Sequence, residues 1–173
     1  MALGLERGCA RVVPYDPAWT LRFDELAAQL RVVLGDRILT IEHVGSTSVP
    51  GLAAKPILDA LVGVPDFAGA RSFASELATL GFEFRPQEEI PDRHYFRRFT
   101  GGLRTHHLSL AELDSEHYRN TIAFRDALRA DPVLARAYES LKLELARRFP
   151  FDRESYQNGK TDFVLSTLKA CGL

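Results

Sequence analysis

Cysteine is almost absent from the sequence: Cys9 and Cys171 lie near its two ends and take part in no metal or redox motif. A disulfide framework is therefore not expected, and a reducing cytoplasm is the expected location. No apolar run approaches the roughly 18 residues that read as a membrane span. No basic region followed by a long apolar stretch opens the chain, so no signal peptide is expected either. Net charge is also missing. Lysine plus arginine number 22 against 23 aspartates and glutamates, a formal charge of −1. The basic excess of a general nucleic-acid or membrane-surface binder is thus lacking. There is no repeat and no low-complexity linker, and only four of the 22 basic residues are lysine.

What is present, 46% hydrophobic and 26% charged residues over 173 positions, is an ordinary globular composition, most simply one domain spanning residues 1–173. Asp16-Pro17 predicts a helix start, and Trp19, Phe23, Leu26, Leu30 and Val33 recur at helical spacing up to Gly35. Arg37 to Val44 and Ile57 to Val64 read as strands, the second apolar enough to be covered on both faces, with Asp59 its only charge. A helix is expected from Asp66 to Leu80, a short strand at Phe82 to Phe84, and a hairpin from Arg93 to Leu110 turning at Gly101-Gly102. Beyond Asp114 the pattern is helical, with breaks at Asp131-Pro132 and at "FPFDRESYQNGK". This order of strands and helices predicts an α/β (α+β) domain.

Between the first two strands lies a loop far longer than a connection needs. Gly45 permits close backbone approach, and Ser46, Thr47 and Ser48 supply hydroxyl and amide donors, a composition suited to cradling phosphate. It is not a Walker loop, because Leu52 follows Gly51. Lys55, held extended by Pro56, can reach a phosphate. Asp59 on the next strand places a carboxylate beside the cradle, as Mg²⁺-assisted phosphoryl or nucleotidyl transfer requires. The alternative for Asp59 is a buried carboxylate anchoring loop amides, and for Ser46 a turn hydroxyl.

"HVGSTSVPGLAAKPILD", His43 to Asp59, closely resembles the signature of the GrpB family, bacterial proteins related to the nucleotidyltransferase superfamily. The resemblance extends through "VVPYDPAW", "RTHHL" and the Tyr156, Lys160, Phe163 pattern. It implies a nucleotidyltransferase-like mixed β-sheet flanked by helices, with C-terminal helices packed against it and covering a nucleotide. It further implies that Gly45 and Ser46 hold a triphosphate, that Asp59 binds Mg²⁺, and that Tyr156 and Lys160 reach the pocket. The second acid of such enzymes stands two residues on, and here that position is Leu61; the later strand offers His107 and Ser109 instead of a third acid. An apolar side chain cannot hold a hard cation, so one metal ligand is missing. Related domains fused to dephospho-coenzyme A kinases suggest a nucleotide-related role.

The hairpin is basic. With Thr100 opposite Leu103, unbroken alternation puts His94, Phe96, Arg98, Thr105, His107 and Ser109 on one face, expected to wall the pocket. Arg93, Tyr95, Arg97, Phe99, Arg104 and His106 fall on the other. At least one of Arg98 and Arg104 is expected at the ligand phosphate, alongside His107. A solvated strand face is the competing account. His43 is expected to orient the loop, and His117 to lie at the surface. Three functions stay open: a Mg²⁺-dependent nucleotidyltransferase using Ser46 and Asp59, a non-catalytic binder of a nucleotide or phosphorylated small molecule, and an interaction module near coenzyme A metabolism.

Overall fold

Asp16 opens the first helix by accepting the Ala18 N–H on its carboxylate at 3.0 Å. Helix α1 (Ala18–Leu34) buries Trp19, Phe23, Leu26, Leu30 and Leu34 along one stripe and stops at Gly35, whose φ of 60° a β-carbon would disfavour. The computed structural model describes residues 3–86 and 90–173. The sheet has the order β1-β2-β5-β4-β3, built from β1 (Thr40–Val44), β2 (Leu58–Val64), β3 (Phe82–Phe84), β4 (His94–Thr100) and β5 (Leu103–Glu112). It is mixed: β2 and β5 run parallel at its centre and the other neighbours antiparallel. One face carries Leu58, Ala60, Val62, Phe96, Leu108 and Leu110 against α1 and Leu77. The other is covered in part by α4 (Glu116–Ala130), with Val44, Leu61 and Ala111 packed on Tyr118 and Ile122. Helices α5 (Pro132–Arg148), α6 (Arg153–Asn158) and α7 (Thr161–Ala170) complete that layer.

Two elements differ from the sequence expectation, each for a local reason. The strand begins only at Thr40, because Gly35–Arg37 form a 3₁₀ turn in which the Arg37 guanidinium donates back to the Leu34 and Val33 carbonyls. The helix expected from Asp66 to Leu80 is split into α2 (Phe67–Ala70), a 3₁₀ turn and α3 (Ala74–Thr79). Ser72 and Ser75 donate their hydroxyls to the Gly69 and Ser72 carbonyls, local bonds that compete with a continuous helix.

The hairpin turns at Gly101 and Gly102, with φ of 58° and 79°, as a primed two-residue turn requires. Its register then shifts. Phe99 pairs with Arg104, but Arg98 pairs with His106, leaving Thr105 as an extra residue in β5. The bulge reverses the expected pairing of faces: Arg97 and Tyr95 lie opposite His107 and Ser109, whereas Arg98 lies opposite His106. Arg98 is therefore on the face away from Asp59, its Nε and Nη2 lying 3.1 and 2.7 Å from the two His106 ring nitrogens, one of which accepts, with its guanidinium over Phe82.

Arg125 fastens the helical layer to the sheet. From α4 it donates to the Glu42 carboxylate at 2.7 Å and to the His43 carbonyl at 3.2 Å, and it is 9% exposed. Its loss leaves a buried carbonyl and a carboxylate without their donor. Arg125→Ala is expected to lower the free energy of unfolding by about 2 kcal/mol in urea titrations. A change below roughly 0.5 kcal/mol, the size of an ordinary surface substitution, would show that the helical layer does not depend on this tie.

Candidate functional site

The loop leaves β1 at Gly45, which has a φ of 69° and lies against Asp59 so closely that a β-carbon would come 2.5 Å from its Oδ2. Both the left-handed backbone and the close approach demand glycine. Val44 and Asp59 are partners across the β1–β2 ladder, so the loop begins and ends beside the carboxylate, as the sequence implies. A 3₁₀ turn, Ser46–Ser48, follows. Its hydroxyls have separate uses. Thr47 donates to the Ile57 carbonyl at 3.4 Å and lies 3.0 Å from His43 Nε2, while the His43 ring stacks on Phe23. Ser48 donates to the Gly45 carbonyl at 2.6 Å, and its own carbonyl accepts from Arg129. Only the Ser46 hydroxyl reaches across, to Tyr138 on α5. Thr47 and Ser48 thus spend their hydroxyls on the loop itself, where the sequence alone offered them to a ligand.

Beneath the turn and roofed by α4–α7 is a cavity of about 530 Å³. Gly45, Ser46, Thr47, Lys55, Asp59, His107, Tyr156 and Lys160 all line it, together with Leu61, Ser109 and Tyr95 from the sheet. Ser48 opens instead onto a second depression on the far side of the loop. Arg104 is 2% exposed and is not part of the cavity lining, although its charge reaches Lys55 and His107. Arg98 is excluded by the bulge. His117, expected at the surface, is half-buried and lines the cavity from α4, where burial pushes its pKa down to about 4.

Asp59 Oδ1 lies 2.7 Å from His107 Nδ1, and a carboxylate can only accept, so Nδ1 donates. Burial raises the Asp59 pKa, but the charge and hydrogen bond of His107, with Lys55 and His43, outweigh it and hold the carboxyl below its ordinary value. Burial also pushes the His107 ring below the usual histidine range against the pull of Asp59. The ring thus donates Nδ1–H to the carboxylate, and its Nε2 is buried without a hydrogen-bond partner among the described residues.

Cations dominate the rest. Lys55 and Lys160 both lie over the Tyr156 ring, at 4.9 and 4.8 Å from its centre, and Lys142 lies 4.9 Å from the centre of Tyr138. Burial, then the charge of Lys160, pushes Lys55 down to about 7. Lys142, donating to the Ala53 carbonyl, is likewise pushed down to about 7, and Lys160 to about 8. Arg93, Arg125 and Arg153 also line the cavity, Arg125 already paired with Glu42, and among the described residues Asp59 is its only carboxylate. Lys142 and the cavity arginines were not singled out in the sequence. For Lys142 a signal exists: Tyr138 and Lys142 repeat the Tyr-x-x-x-Lys spacing of Tyr156 and Lys160.

A pair of metal ions does not fit this donor set. Leu61 occupies the position that the family resemblance gives the second acid, fully buried against Val44 and Ala111, and β5 sets His107 and Ser109, not a carboxylate, beside Asp59 and Leu61. Asp59 already accepts from His107 on one oxygen and packs against Gly45 with the other. Among the described residues no three His, Cys, Asp or Glu side chains converge as a ligand set. No helix among them is long and apolar enough to cross a membrane.

A sequence profile described as GrpB protein matches residues 10–170. The glutamate-rich protein GrpB of Alkalihalophilus pseudofirmus is 34% identical over 166 residues, covering 94% of this chain and 95% of the relative. The crystal structure of the conserved protein GrpB from Enterococcus faecalis has a TM-score of 0.85 at 35% identity, over 92% of this chain and 96% of that one. At the level of fold alone, the Cid1 poly(U) polymerase with Mg 3′-dATP bound has a TM-score of 0.56 at 15% identity, over 86% of this chain and 49% of that one. The five-stranded mixed sheet with its flanking helices is a nucleotidyltransferase-like fold.

The half-buried Lys55 and Lys160 and the buried Lys142 carry a cost in stability. Above pH 7 the folded chain has given up the Lys55 proton that the unfolded chain keeps to about 10.4, so stability rises with pH across that window. Lys55→Met is expected to raise the melting temperature at pH 7 and to flatten the rise of stability between pH 7 and 10. Melting curves across that range provide the check, and an unchanged slope would show that Lys55 is solvated.

Proposed function

The chain belongs to the GrpB family, and from that premise we propose that it binds a nucleotide or a similarly phosphorylated small molecule in the cavity under α4–α7. The observation that carries this reading is the charge of the lining: Lys55, Lys142, Arg153 and Lys160 line the cavity, and among the described residues Asp59 is its one carboxylate. Buried cations held near one another raise each other's energy, and an anion entering among them relieves both desolvation and repulsion. Lys55, Lys160 and Arg153 would take the phosphates, next to Ser46 and the turn at Gly45. The half-buried ring of Phe124 in the lining would offer a face for a base. The Cid1 polymerase, which shares the fold, holds a magnesium nucleotide in its crystal. Here Leu61 and Ser109 leave Asp59 without partner acids, which supports binding through Lys and Arg over binding through a metal pair.

Isothermal titration with ATP, UTP and inorganic pyrophosphate, each with Mg²⁺ and with chelator, tests the proposal. Affinity is expected to survive chelation and to fall as salt rises. Lys55→Ala and Arg153→Ala should each weaken it about tenfold, the loss of roughly 1.4 kcal/mol expected of one charge-assisted phosphate contact. Arg98→Ala, on the opposite face, should leave it unchanged. Binding at pH 8 should take up protons, because Lys55 and Lys142 are pushed down to about 7 in the free chain and the anion restores their charge. The proposal fails if none of the three ligands binds. Strong Mg²⁺-dependent nucleotidyl transfer by the unaltered chain would instead establish the competing catalytic reading, which the adjacency of Gly45, Ser46 and Asp59 favours.

A further inference from the structure

The four lysines of the chain stand in four different surroundings. Lys169 is exposed on α7. The other three line the cavity, where Lys142 donates to the Ala53 carbonyl and Lys160 to the Gln157 side chain. Of these three, only Lys55 has neither a hydrogen bond nor an ion pair to its amine among the described residues. It is half-buried, and its Nζ keeps accessible surface on the cavity, unlike the sealed side-chain nitrogens of Arg104 and His107. The backbone beneath it is fixed. Ala54 exchanges two hydrogen bonds with Val13, at 2.8 and 2.9 Å, and the Lys55 carbonyl accepts from Ile57 at 2.7 Å. The charged groups facing the amine are Lys160, Asp59, Arg104 and Arg153, and it shares the Tyr156 ring with Lys160. Burial and the cations outweigh Asp59 and push Lys55 down to about 7. Near neutral pH roughly half of Lys55 is therefore free amine, whereas a solvated lysine, at about 10.4, keeps its proton. A desolvated lysine beside another cation is an activated nucleophile. A site that gathers phosphate also gathers any electrophile that carries phosphate.

We propose that Lys55 is an acylation site, modified inside the cavity by acyl phosphates, the mixed anhydrides of a carboxylic acid and phosphoric acid. The inference rests on the binding reading above and adds a class of small phosphorylated ligand to it. Lys160, pushed down only to about 8, stays the more charged of the two lysines, and with Arg153 it holds the phosphate end. The free amine of Lys55 attacks the acyl carbon. A carbon–nitrogen bond forms, the bond from that carbon to the bridging oxygen breaks, and its electron pair leaves on inorganic phosphate. The proton shed by the nitrogen passes to the departing phosphate or to solvent. The product is a neutral amide, so the cavity loses one cation and holds a nucleotide less firmly. Acylation thereby switches the site off.

The full chain is incubated with acetyl phosphate at pH 7.5, and acetylation of each lysine is followed by tandem mass spectrometry, with exposed Lys169 as internal reference. Lys55 is expected to gain acetyl at least about tenfold faster than Lys169. Saturating pyrophosphate should remove most of that preference while leaving Lys169 unchanged. The Lys55 rate should level off above about pH 8, where its amine is already unprotonated. Chain acetylated at Lys55 should bind ATP about tenfold more weakly in titration. Acetylation of Lys55 no faster than that of Lys169, or a preference for Lys142 or Lys160, overturns the inference, and the binding reading stands if nucleotide or pyrophosphate still binds. A preference for Lys55 that bound pyrophosphate does not reduce also overturns it, because the cavity then does not deliver the reagent. If no phosphate compound binds and Lys55 is not preferred, both readings fall.

Discussion

The backbone of Gly45 rests on the carboxylate of Asp59, and the arrangement of the site follows from that contact. Because no β-carbon fits between them, the chain can leave β1 in a left-handed turn directly over the acid. That turn aims Ser46 toward α5 and Thr47 inward to His43, and folds Ser48 back on the turn. It also limits Asp59, whose free direction is toward His107. The same contact that builds the turn therefore decides which partner the carboxylate finds.

The cavity places its charges against the interest of stability. Lysine ammonium groups over tyrosine rings keep part of their solvation through the ring faces, which softens the cost of burying them without carboxylates. The remaining cost is the kind that proteins retain at binding sites, where stability and function pull apart. The core on the other face of the sheet is mostly apolar, with the buried His43, His94 and His106 among its aliphatic and aromatic side chains.

The loop and its flanking strands are legible in the sequence because the information is local: an apolar strand, glycine, hydroxyls, a Lys-Pro step and a second apolar strand occur in order. The Gly101-Gly102 turn is legible for the same reason. The faces of the hairpin are not, since a single extra residue at Thr105 reverses the register between the turn and His107. Pure alternation therefore assigns Arg98 to the site and Tyr95 away from it, the opposite of what the structure shows. Arg125 and Lys142 belong to helices whose rotation about their own axes depends on tertiary packing, so their approach to β1 and to the loop cannot be read from spacing alone. His43 could be read correctly because its partner, Thr47, lies four residues away.

The walls and the roof of the cavity come from different stretches of chain. The sheet, with Gly45, Lys55, Asp59 and His107, is complete by Glu112, and everything above it lies between His117 and Leu168. During synthesis the ribosome therefore delivers the floor first. At ~5–20 residues per second the roofing helices follow over several seconds. For that interval the nascent chain carries its carboxylate–imidazole pair open to water, without Lys142, Arg153 or Lys160. The floor and the roof of the cavity first meet when α7 docks, so the enclosed space exists only once residues 117–168 have folded over the sheet.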